Sequence, residues 1–423
     1  MLPSRDVPDD EEIIAASLSG LPSLAPALLK AMLNGDRPSS VWRSILAGEL
    51  PEHLAIDVLL AGKPSSHRSQ FASRRESILA KWKHTAEQIE IGQLKQSYRS
   101  AGVRVLYQGS TIYPKQFADD PDVPGVLFVK SGCESQSEIP KVALVGTRSA
   151  TNYGREIAFE MGKSLSEAGV SVLSGLASGI DAAAHRGACS VEGAPPIAVV
   201  GSGLDVIYPV SSGPLWHLVG DRGMLVSAYG LGMQPARWHF PLRNRIVAAL
   251  SNIVVVIESH EAGGAMHTVQ AADIRGVPVM AVPGSVRSPA SKGTNALLHQ
   301  GSSVARDTQD VIVLLDLVCP GVRSVCGVLS ANNSEDLNAV NRNEESGRES
   351  CEPSRIEQAR GGYGGRLSEA SLRVLEVVNW EPTPTGFIVE QCRDMTIGEI
   401  TNSLVGLEAE GLARSGDGWW ERT

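Results

Sequence analysis

The chain has 423 residues, of which 42% are apolar and 20% charged, a composition typical of a globular protein with two or three domains. A formal net charge of -9 argues against a protein that binds nucleic acid through a general excess of positive charge, so any such binding must depend on local clusters. With no C-x-x-C pair among six cysteines, no apolar run near 20 residues and no export signal, we expect a cytoplasmic protein with reduced thiols and no metal site.

The first 100 residues predict a small helical domain. Apolar residues recur at helical spacing in Ile13–Ala16 and in Ala27–Leu33. Two short strands, Val103–Leu106 and Val126–Val129, then lead into the next predicted domain.

Residues 101–320 predict an α/β domain with a doubly wound, mostly parallel sheet, because buried strands alternate with amphipathic helices. The seven strands expected in this sheet are Val142–Val145, Val170–Leu173, Ile197–Val200, Met224–Val226, Ile253–Ile257, Val277–Ala281 and Ser303–Ala305. Several of them run into glycine-rich turns. Such turns lie at the carboxyl ends of the strands, where sheets of this kind bind ligands.

The C-terminal part of the chain has two predicted regions. Residues 321–365 are rich in polar residues and glycine, which predicts a flexible linker. Residues 366–423 predict three helices and a short hairpin, the pattern of a winged-helix domain. Because this region has five Arg and no Lys against ten acidic residues, we expect it to bind protein or to regulate, and not to bind DNA.

The first strand of the sheet ends in a turn that contains Gly146, Thr147 and Arg148, and a helix follows. A strand, a glycine turn and a helix N-terminus together form an anion site, and Arg148 adds a forked donor for phosphate. A packing turn with a surface arginine explains this stretch equally well, because it lacks the G-x-G-x-x-G pattern.

The second strand ends in a turn rich in glycine and serine. Its candidate phosphate contacts are Ser174, Gly175, Ser178 and Gly179. Ser178, Asp181 and His185 are the residue types of a catalytic triad, but the G-x-S-x-G pattern of a nucleophile elbow is absent. A structural role or a phosphate contact is therefore favoured over nucleophilic catalysis.

The segment 235–245, PARWHFPLRNR, is the strongest local signal for nucleic-acid binding. Its candidate contacts are Arg237, Phe240, Arg243, Asn244 and Arg245. Arginines suit a phosphate backbone, and aromatic rings stack on bases with about 1–3 kcal/mol for each base. The alternative is a partly buried hinge in which Trp238 and Phe240 belong to the core and the arginines pair with acids.

Two more candidates lie at the start of a later helix. Lys292 and Asn295 are placed to contact phosphate there, although helix capping by Thr294 is an equally good interpretation. Between Lys141 and Asp316, 13 Lys and Arg balance 13 Asp and Glu. Binding in this region must therefore come from such local groups.

In order and spacing, these motifs resemble the DprA/Smf family. The segments that carry the resemblance, between about Gly102 and Asp316, are Gly146–Arg148, Ser174–Asp181 with His185, Tyr208-Pro209, His239–Ile246, Glu258 with Thr268, and Val282–Ser285. The resemblance implies an extended Rossmann-like fold, single-stranded DNA binding without a cofactor, a homodimer, and loading of the RecA recombinase in natural transformation or homologous recombination. It also implies a phosphate contact for Arg148, a basic position for Arg237 and a base contact for Phe240.

The family often has an N-terminal SAM-like or helix-hairpin-helix-like domain and a C-terminal winged helix. In this chain Ser23-Leu24-Ala25 replaces the glycines of the N-terminal hairpin, which leaves DNA contact there open. One rival function is a phosphoribohydrolase, but Glu261–Thr268 lacks the proline and the catalytic glutamate of that enzyme's motif. Another rival is a nucleotide-sensing regulatory protein. We expect sequence-independent single-strand binding without catalysis.

Overall fold

A computed structural model gives the fold of the chain in two compact units, Met1–Asn333 and Ser334–Thr423. The residues that it describes are 9–51, 65–118, 120, 122–133, 139–319, 368–378, 383–392, 395–409, 412–416 and 419–422. The predicted linker, residues 321–365, lies outside the described residues.

In the described part of the chain before the sheet there are five helices: α1 (Asp10–Ser19), α2 (Pro26–Met32), α3 (Pro38–Ala47), α4 (Ser65–Gln88) and α5 (Ile91–Ala101). The Asp9 side chain caps α1 by accepting a hydrogen bond from the Glu12 amide at 2.8 Å. Proline occupies the first position of α2 and α3, where its fixed φ favours helix initiation. The Trp82 indole of α4 is buried and donates to the Pro22 carbonyl at 2.9 Å.

These helices share one hydrophobic core with a face of the sheet. Leu18 and Trp82 belong to the same buried cluster as Phe128, Val200 and other strand residues. Across this boundary the buried Glu12 carboxylate accepts hydrogen bonds from the Arg104 side chain and from the Val105 amide. The described helices before the sheet therefore pack against it within the first unit, and the separate domain 1–100 stays a prediction.

Nine strands form one sheet in the order β1-β2-β6-β5-β4-β3-β7-β8-β9. The strands are β1 (Arg104–Tyr107), β2 (Val126–Ser131), β3 (Lys141–Val145), β4 (Ser171–Ser174), β5 (Ile197–Val200), β6 (Met224–Ser227), β7 (Ile253–Val256), β8 (Val279–Ala281) and β9 (Ser303–Val304). The seven strands from β3 to β9 are parallel, whereas β2 pairs antiparallel with β6 and with β1. The predicted mostly parallel α/β sheet is confirmed.

Helices cover both faces of the parallel part. They are α6 (Asn152–Glu167), α7 (Ile180–Ala188), α8 (Gly213–Arg222), α9 (His239–Leu250), α10 (Ala265–Ile274), α11 (Lys292–His299) and α12 (Thr308–Val318). Helices α6, α7 and α12 pack on one face, and α9, α10 and α11 pack on the other. Strand residues alternate between the two layers: Val142 and Leu144 face the first, and Ala143 and Val145 the second.

The strand order places the ligand-binding edge. From β3 the chain adds β4, β5 and β6 on one side, and then returns to add β7, β8 and β9 on the other side of β3. The order reverses between β3 and β7. In open sheets of this type, ligands bind in the crevice outside the carboxyl ends of the strands near such a point.

All nine predicted strands are present, with small shifts at their ends. Val170 was expected to begin β4, but its amide donates to Leu165 O at 2.9 Å and closes the end of α6. Val277 was expected to begin β8, but its amide donates to Ala272 O at 3.0 Å and closes α10. Helix termini recruit these amides because the last carbonyls of a helix otherwise lack donors.

The second unit has its own core. Its elements are α13 (Glu369–Val377), β10 (Thr383–Pro384), α14 (Thr385–Gln391), α15 (Ile397–Ala409), β11 (Ala413–Gly416) and β12 (Trp419–Arg422). The strands form an antiparallel sheet in the order β10-β12-β11. Val374, Ile388 and Leu404 lie in the buried cluster between the helices. The predicted helices and hairpin are present, and β10 is an additional strand.

Candidate nucleic-acid interface

A pocket of about 150 Å3 lies at the carboxyl edge of the parallel sheet. We call it the Phe240 pocket, and its lining residues are Arg148, Gly175, Ala177, Ser178, Val200, Gly201, Tyr208, Pro209, Phe240 and Arg243. They come from the segments after β3, β4 and β5 and from the first turns of α9. Pockets for drug-sized ligands measure about 300–1,000 Å3, so this one suits a single base or phosphate group.

Two cations and two aromatic rings meet in the Phe240 pocket. The Arg148 Cζ lies 5.2 Å from the centroid of the Phe240 ring, and the Arg243 Cζ lies 6.0 Å from it. The Tyr208 ring is 5.8 Å from the Phe240 ring at an angle of 43°. Arg148 is exposed, whereas Arg243 is 7% exposed. The pocket thus combines an exposed surface cation, a buried internal cation and a stacking surface.

Arg243 is held by a buried carboxylate. Its Nη1 lies 3.5 Å from the Asp181 Oδ2, which also accepts a hydrogen bond from the Gly175 amide at 3.2 Å. Burial raises the pKa of the Asp181 carboxyl, and the Arg243 cation counteracts part of that shift. A Cβ atom at Gly175 would overlap the Arg243 guanidinium. The buried Nε of Arg243 has no hydrogen-bond partner among the described residues.

Asp181 and His185, which with Ser178 are the residue types of a catalytic triad, each bind a group outside that triad. His185 is fully buried, and its Nε2 lies 3.1 Å from the Ile197 carbonyl, to which it donates. Burial lowers the pKa of His185 to about 4, so its ring is neutral at pH 7. Asp181 pairs with Arg243, and Ser178 is exposed in the pocket wall. The geometry favours structural roles for Asp181 and His185.

The anion site expected at the start of α6 contains a carboxylate of the protein itself. Glu258 is buried and accepts hydrogen bonds from the Thr151 amide at 2.9 Å and from the Thr151 hydroxyl at 2.6 Å. Gly154 lies so close that a Cβ atom would overlap this carboxylate. Glu258 therefore already supplies an anion at this helix end, and a nucleic-acid phosphate contact there stays a prediction.

Gly146 and Thr147 fix the position of Arg148, but they do not themselves line the pocket. A Cβ atom at Gly146 would meet Ile180 and the Glu258 carbonyl, and the Thr147 amide donates to that carbonyl at 2.8 Å. Both residues hold the turn through close backbone packing. Of the three residues predicted here, only Arg148 lines the pocket.

Ser174 and Gly179 also have structural positions. Ser174 is fully buried, and its hydroxyl donates to the Leu144 carbonyl at 2.6 Å, so its predicted phosphate contact needs correction. Gly179 has φ of +81°, and a Cβ atom there would overlap the Thr147 carbonyl. Gly175 and Ser178, from the same turn, line the pocket.

The arginine-rich segment contributes only part of its residues to the pocket, namely Phe240 and Arg243. Arg237 is exposed and lies three positions before Phe240 in the chain, but it is not one of the lining residues. Asn244 donates to the Gly264 carbonyl at 3.2 Å, and Arg245 lies 3.7 Å from an Asp122 carboxylate oxygen. The predictions of nucleic-acid contact for Asn244 and Arg245 are weakened, since both side chains already have protein partners.

The hinge alternative is wrong for Trp238, which is 76% exposed. It is right for Arg243 and Arg245, which pair with acids. His239 fixes this segment to the sheet: its Nδ1 lies 2.9 Å from the Gly201 carbonyl, and its ring stacks on Tyr229 at 3.7 Å. The hydrogen bond to Gly201, the residue that follows β5, places the adjacent Phe240 near the carboxyl end of β5.

The last two candidate residues, Lys292 and Asn295, have different environments. Lys292 is exposed at the start of α11. Asn295 holds a neighbouring turn: its amide nitrogen donates to the Gly284 carbonyl at 3.0 Å, and its oxygen accepts from the Gly284 amide at 3.3 Å. Its phosphate contact stays a prediction. The Thr294 hydroxyl is buried and donates to Ser291 O at 3.1 Å, within the first turn.

Pocket residues that sequence reasoning missed are mostly apolar. Ala177, Val200 and Gly201 have no chemical signature, and only their position at strand ends marks them. Among the described residues, no group of three or more His, Cys, Asp or Glu is arranged to hold a metal ion. Over that same part of the chain, no helix is both long and apolar enough to span a bilayer.

Comparisons with known proteins give consistent relatives. The family described as DNA recombination-mediator protein A matches residues 104–316, which include the whole pocket. Protein Smf of Synechocystis sp. is 31% identical over 334 residues, 76% of this chain and 80% of that protein. The DNA processing protein DprA of Bacillus subtilis is 32% identical over 288 residues, 68% of this chain and 90% of that protein. The X-ray structure of DprA from Streptococcus pneumoniae has a TM-score of 0.55 and 29% identity, and covers 72% of this chain and 97% of that chain.

Proposed function

This chain belongs to the DprA/Smf family of DNA recombination mediators, and from that premise we propose that it binds single-stranded DNA through the Phe240 pocket. The observation that carries the proposal is the Arg148 guanidinium 5.2 Å from the Phe240 ring, with Arg243 beneath. Cations next to a stacking ring are the chemistry that a single strand requires.

In the proposed mode each pocket residue has one task. Arg148 is exposed and moves to a backbone phosphate, to which it donates a forked pair of hydrogen bonds. A base then stacks on the Phe240 ring. Arg243, which lines the pocket and is fixed by Asp181, adds positive charge next to the bound nucleotide. Arg237, which is exposed and three positions before Phe240 in the chain, adds a second phosphate contact.

The proposed binding is independent of sequence and involves no bond chemistry or cofactor. Every base has a face that stacks on Phe240, so stacking discriminates little. A catalytic role would need a titratable group free to exchange protons with a ligand. Asp181 is held by Arg243, and His185 lies in the core with its Nε2 on a backbone carbonyl.

The test is fluorescence anisotropy with a labelled oligothymidine and its duplex across a salt series. The wild type should prefer the single strand, with an affinity that falls as salt rises. Arg148→Ala and Phe240→Leu should each weaken single-strand binding. Phe240→Leu should cost about 5- to 160-fold, from the 1–3 kcal/mol of one stack. Arg186→Ala is the matched control, because Arg186 is exposed in the last turn of α7.

Measurements on the same wild-type protein distinguish the rival functions. If the wild type binds no single strand at low salt, the proposal is wrong. Nucleoside monophosphates should then be tested. Hydrolysis would indicate a phosphoribohydrolase, and tight binding without hydrolysis would indicate a nucleotide sensor.

We propose further that the chain acts as a homodimer that loads RecA in the cytoplasm, during natural transformation or homologous recombination. Val304 on the edge strand β9 and Val313 and Leu317 on α12 are 41–75% exposed, and they are the apolar surface proposed for the dimer. Light scattering should give twice 44.8 kDa for the wild type and 44.8 kDa for Leu317→Glu. Loading should appear as faster RecA assembly on single strands coated with a single-strand-binding protein.

The second unit is proposed to be a winged helix that binds protein or regulates. Its third helix, α15, has Glu399 and Glu408 but no Lys or Arg over its 13 residues. Helices that enter a DNA groove usually bring cations to the phosphates. Deletion of this unit should therefore leave single-strand affinity unchanged or slightly stronger.

A further inference from the structure

We propose a second single-strand contact on the same edge of the sheet, formed by the turn Pro283–Ser288 and by Lys292, and we call it the Arg287 turn. This inference rests on the proposed function, because it extends the path of a strand already held in the Phe240 pocket. It assigns phosphate contacts to Arg287 and Lys292, and base contacts to Tyr153 and Val286.

The Arg287 turn is fixed from two sides. Asn295 of α11 exchanges two hydrogen bonds with the backbone of Gly284, at 3.0 and 3.3 Å. The Tyr153 hydroxyl of α6 donates to the Pro283 carbonyl at 3.0 Å. Within the turn, the Ser288 amide donates to Ser285 O at 3.0 Å. This bracing gives the turn a defined backbone, which lowers the entropy lost when a ligand is bound.

The fixed turn presents apolar and cationic groups to solvent. Val286 is 86% exposed and Tyr153 is 46% exposed. Arg287 and Lys292 are exposed, and neither has a carboxylate within ion-pair distance in the described part of the chain. Cations free of acidic partners beside an exposed ring are what a strand needs for its phosphates and bases.

Sheet geometry connects this turn with the Phe240 pocket. Strands β5, β4, β3, β7 and β8 are consecutive neighbours, and their carboxyl ends share one edge. Four strand spacings of about 4.8 Å give about 19 Å between the ends of β5 and β8. A stacked strand covers this distance with about six nucleotides at 3.4 Å each. Arg148, a pocket residue that follows β3, is two strands from β8 and so lies on the side of the pocket toward the Arg287 turn.

The segments next to the Arg287 turn also carry acidic side chains. Glu261, in the loop after β7, and Glu156 of α6 are exposed. Their negative charge opposes phosphate binding, so a contact here depends on cations that no nearby carboxylate neutralises. These acidic residues also confine it to a strand that the Phe240 pocket has already captured, since the region has little excess positive charge of its own.

The test compares labelled oligothymidines of four and twelve nucleotides across a salt series, with wild type, Arg148→Ala, and the double variant Arg287→Ala with Lys292→Ala. The double variant should bind the 12-mer more weakly. Its slope of log affinity against log salt should be smaller by about 1.4, or about 0.7 for each lost phosphate contact. Its affinity for the 4-mer should stay within twofold of wild type. Arg148→Ala should weaken both oligomers.

A charge-reversed pair, Arg287→Glu with Lys292→Glu, should enlarge the loss on the 12-mer, and Arg186→Ala should leave both oligomers unaffected. An unchanged slope on the 12-mer, or equal losses on both oligomers, would overturn the second contact and leave the Phe240 pocket standing. Absence of wild-type binding at both lengths would overturn the proposed function itself. All these side chains are exposed, so folding is unaffected by their replacement.

Discussion

Gly175 admits the Arg243 guanidinium to the Phe240 pocket, because any Cβ atom there would overlap it. We expect Gly175→Ala to destabilise the fold by about 1–3 kcal/mol, since the buried ion pair with Asp181 leaves Arg243 little room to move. Single-strand affinity should fall as well. Urea unfolding and anisotropy measure the two effects.

Gly264→Ala is the matched control for this variant. A Cβ atom at Gly264 would have no neighbour within 4 Å, and the residue has a negative φ of −58°. Its stability and DNA affinity should match those of wild type. Equal stability of Gly175→Ala and Gly264→Ala would contradict the close packing of Arg243.

His185 makes the stability of the fold depend on pH. Burial lowers its folded pKa from 6.5 to about 4. The unfolded chain therefore takes up a proton below pH 6.5, while the folded protein does so only near pH 4. The free energy of unfolding should fall as pH falls through this window, by an amount on the order of 3 kcal/mol.

The variant His185→Gln removes this titration and keeps a donor for the Ile197 carbonyl. Its free energy of unfolding, measured in urea, should depend less on pH between 7 and 4 than that of wild type. Replacement of the exposed His217 by Gln is the control and should leave the wild-type dependence intact. Parallel pH curves for wild type and His185→Gln would refute this prediction.

The N-terminus of helix α6 is capped by Thr151, which in turn is bound to Glu258. The Thr151 hydroxyl accepts from the Gly154 amide at 3.1 Å and donates to the buried Glu258 carboxylate at 2.6 Å. Thr151→Ala removes both bonds and leaves a buried carboxylate with one donor fewer. We expect it to cost more than the about 1 kcal/mol of an ordinary cap, because an unsatisfied buried charge adds its desolvation energy.

Helix α12 supplies the reference for that measurement. Its exposed cap, Asp307, accepts only from the Asp310 amide at 3.0 Å, with no buried partner. Asp307→Ala should therefore lower the free energy of unfolding by about 1 kcal/mol. If urea unfolding gives the same loss for Thr151→Ala, then Glu258 does not depend on the cap.

Elements with strong local signals were predictable, and contacts across the chain were not. Ile253–Val256 is a run of β-branched residues, so β7 was predicted from composition alone. The capping of α6 joins Thr151 to a residue 107 positions away, which no local pattern reveals. Strand β10 has only two residues, and one is proline, so it lacks a strand pattern.

Pocket residues, too, were predictable only where their side chains gave a local chemical signal. Arg148, Phe240 and Arg243 were found because their residue types suit phosphates and bases. Val200 and Pro209 line the same pocket and were missed, because apolar residues carry no chemical signal of a site. The opposite error placed Ser174 in the site: its hydroxyl suits a phosphate, but the strand turns it into the core.

At the scale of the whole molecule, the N-terminal helices and the sheet depend on each other. The Tyr98 ring of α5 stacks on Phe128 of β2 at 5.7 Å, and its hydroxyl accepts from the Leu231 amide at 3.3 Å. Burial raises the pKa of Tyr98 to about 12, so this hydroxyl stays protonated under physiological conditions. The helical layer is thereby joined to the loop that precedes α9 and the Phe240 pocket.

This shared core predicts different outcomes for two truncations. A chain of residues 102–319 keeps every strand of the large sheet but exposes the apolar face around Val105, Phe128 and Val200, and we expect it to aggregate. A chain of residues 1–319 keeps the helical layer and should unfold cooperatively and bind single strands. Size-exclusion chromatography and thermal unfolding compare the two. Cooperative unfolding of 102–319 at the temperature of 1–319 would mean that the helices contribute nothing to the core, against the burial of Leu18 and Trp82 beside the sheet.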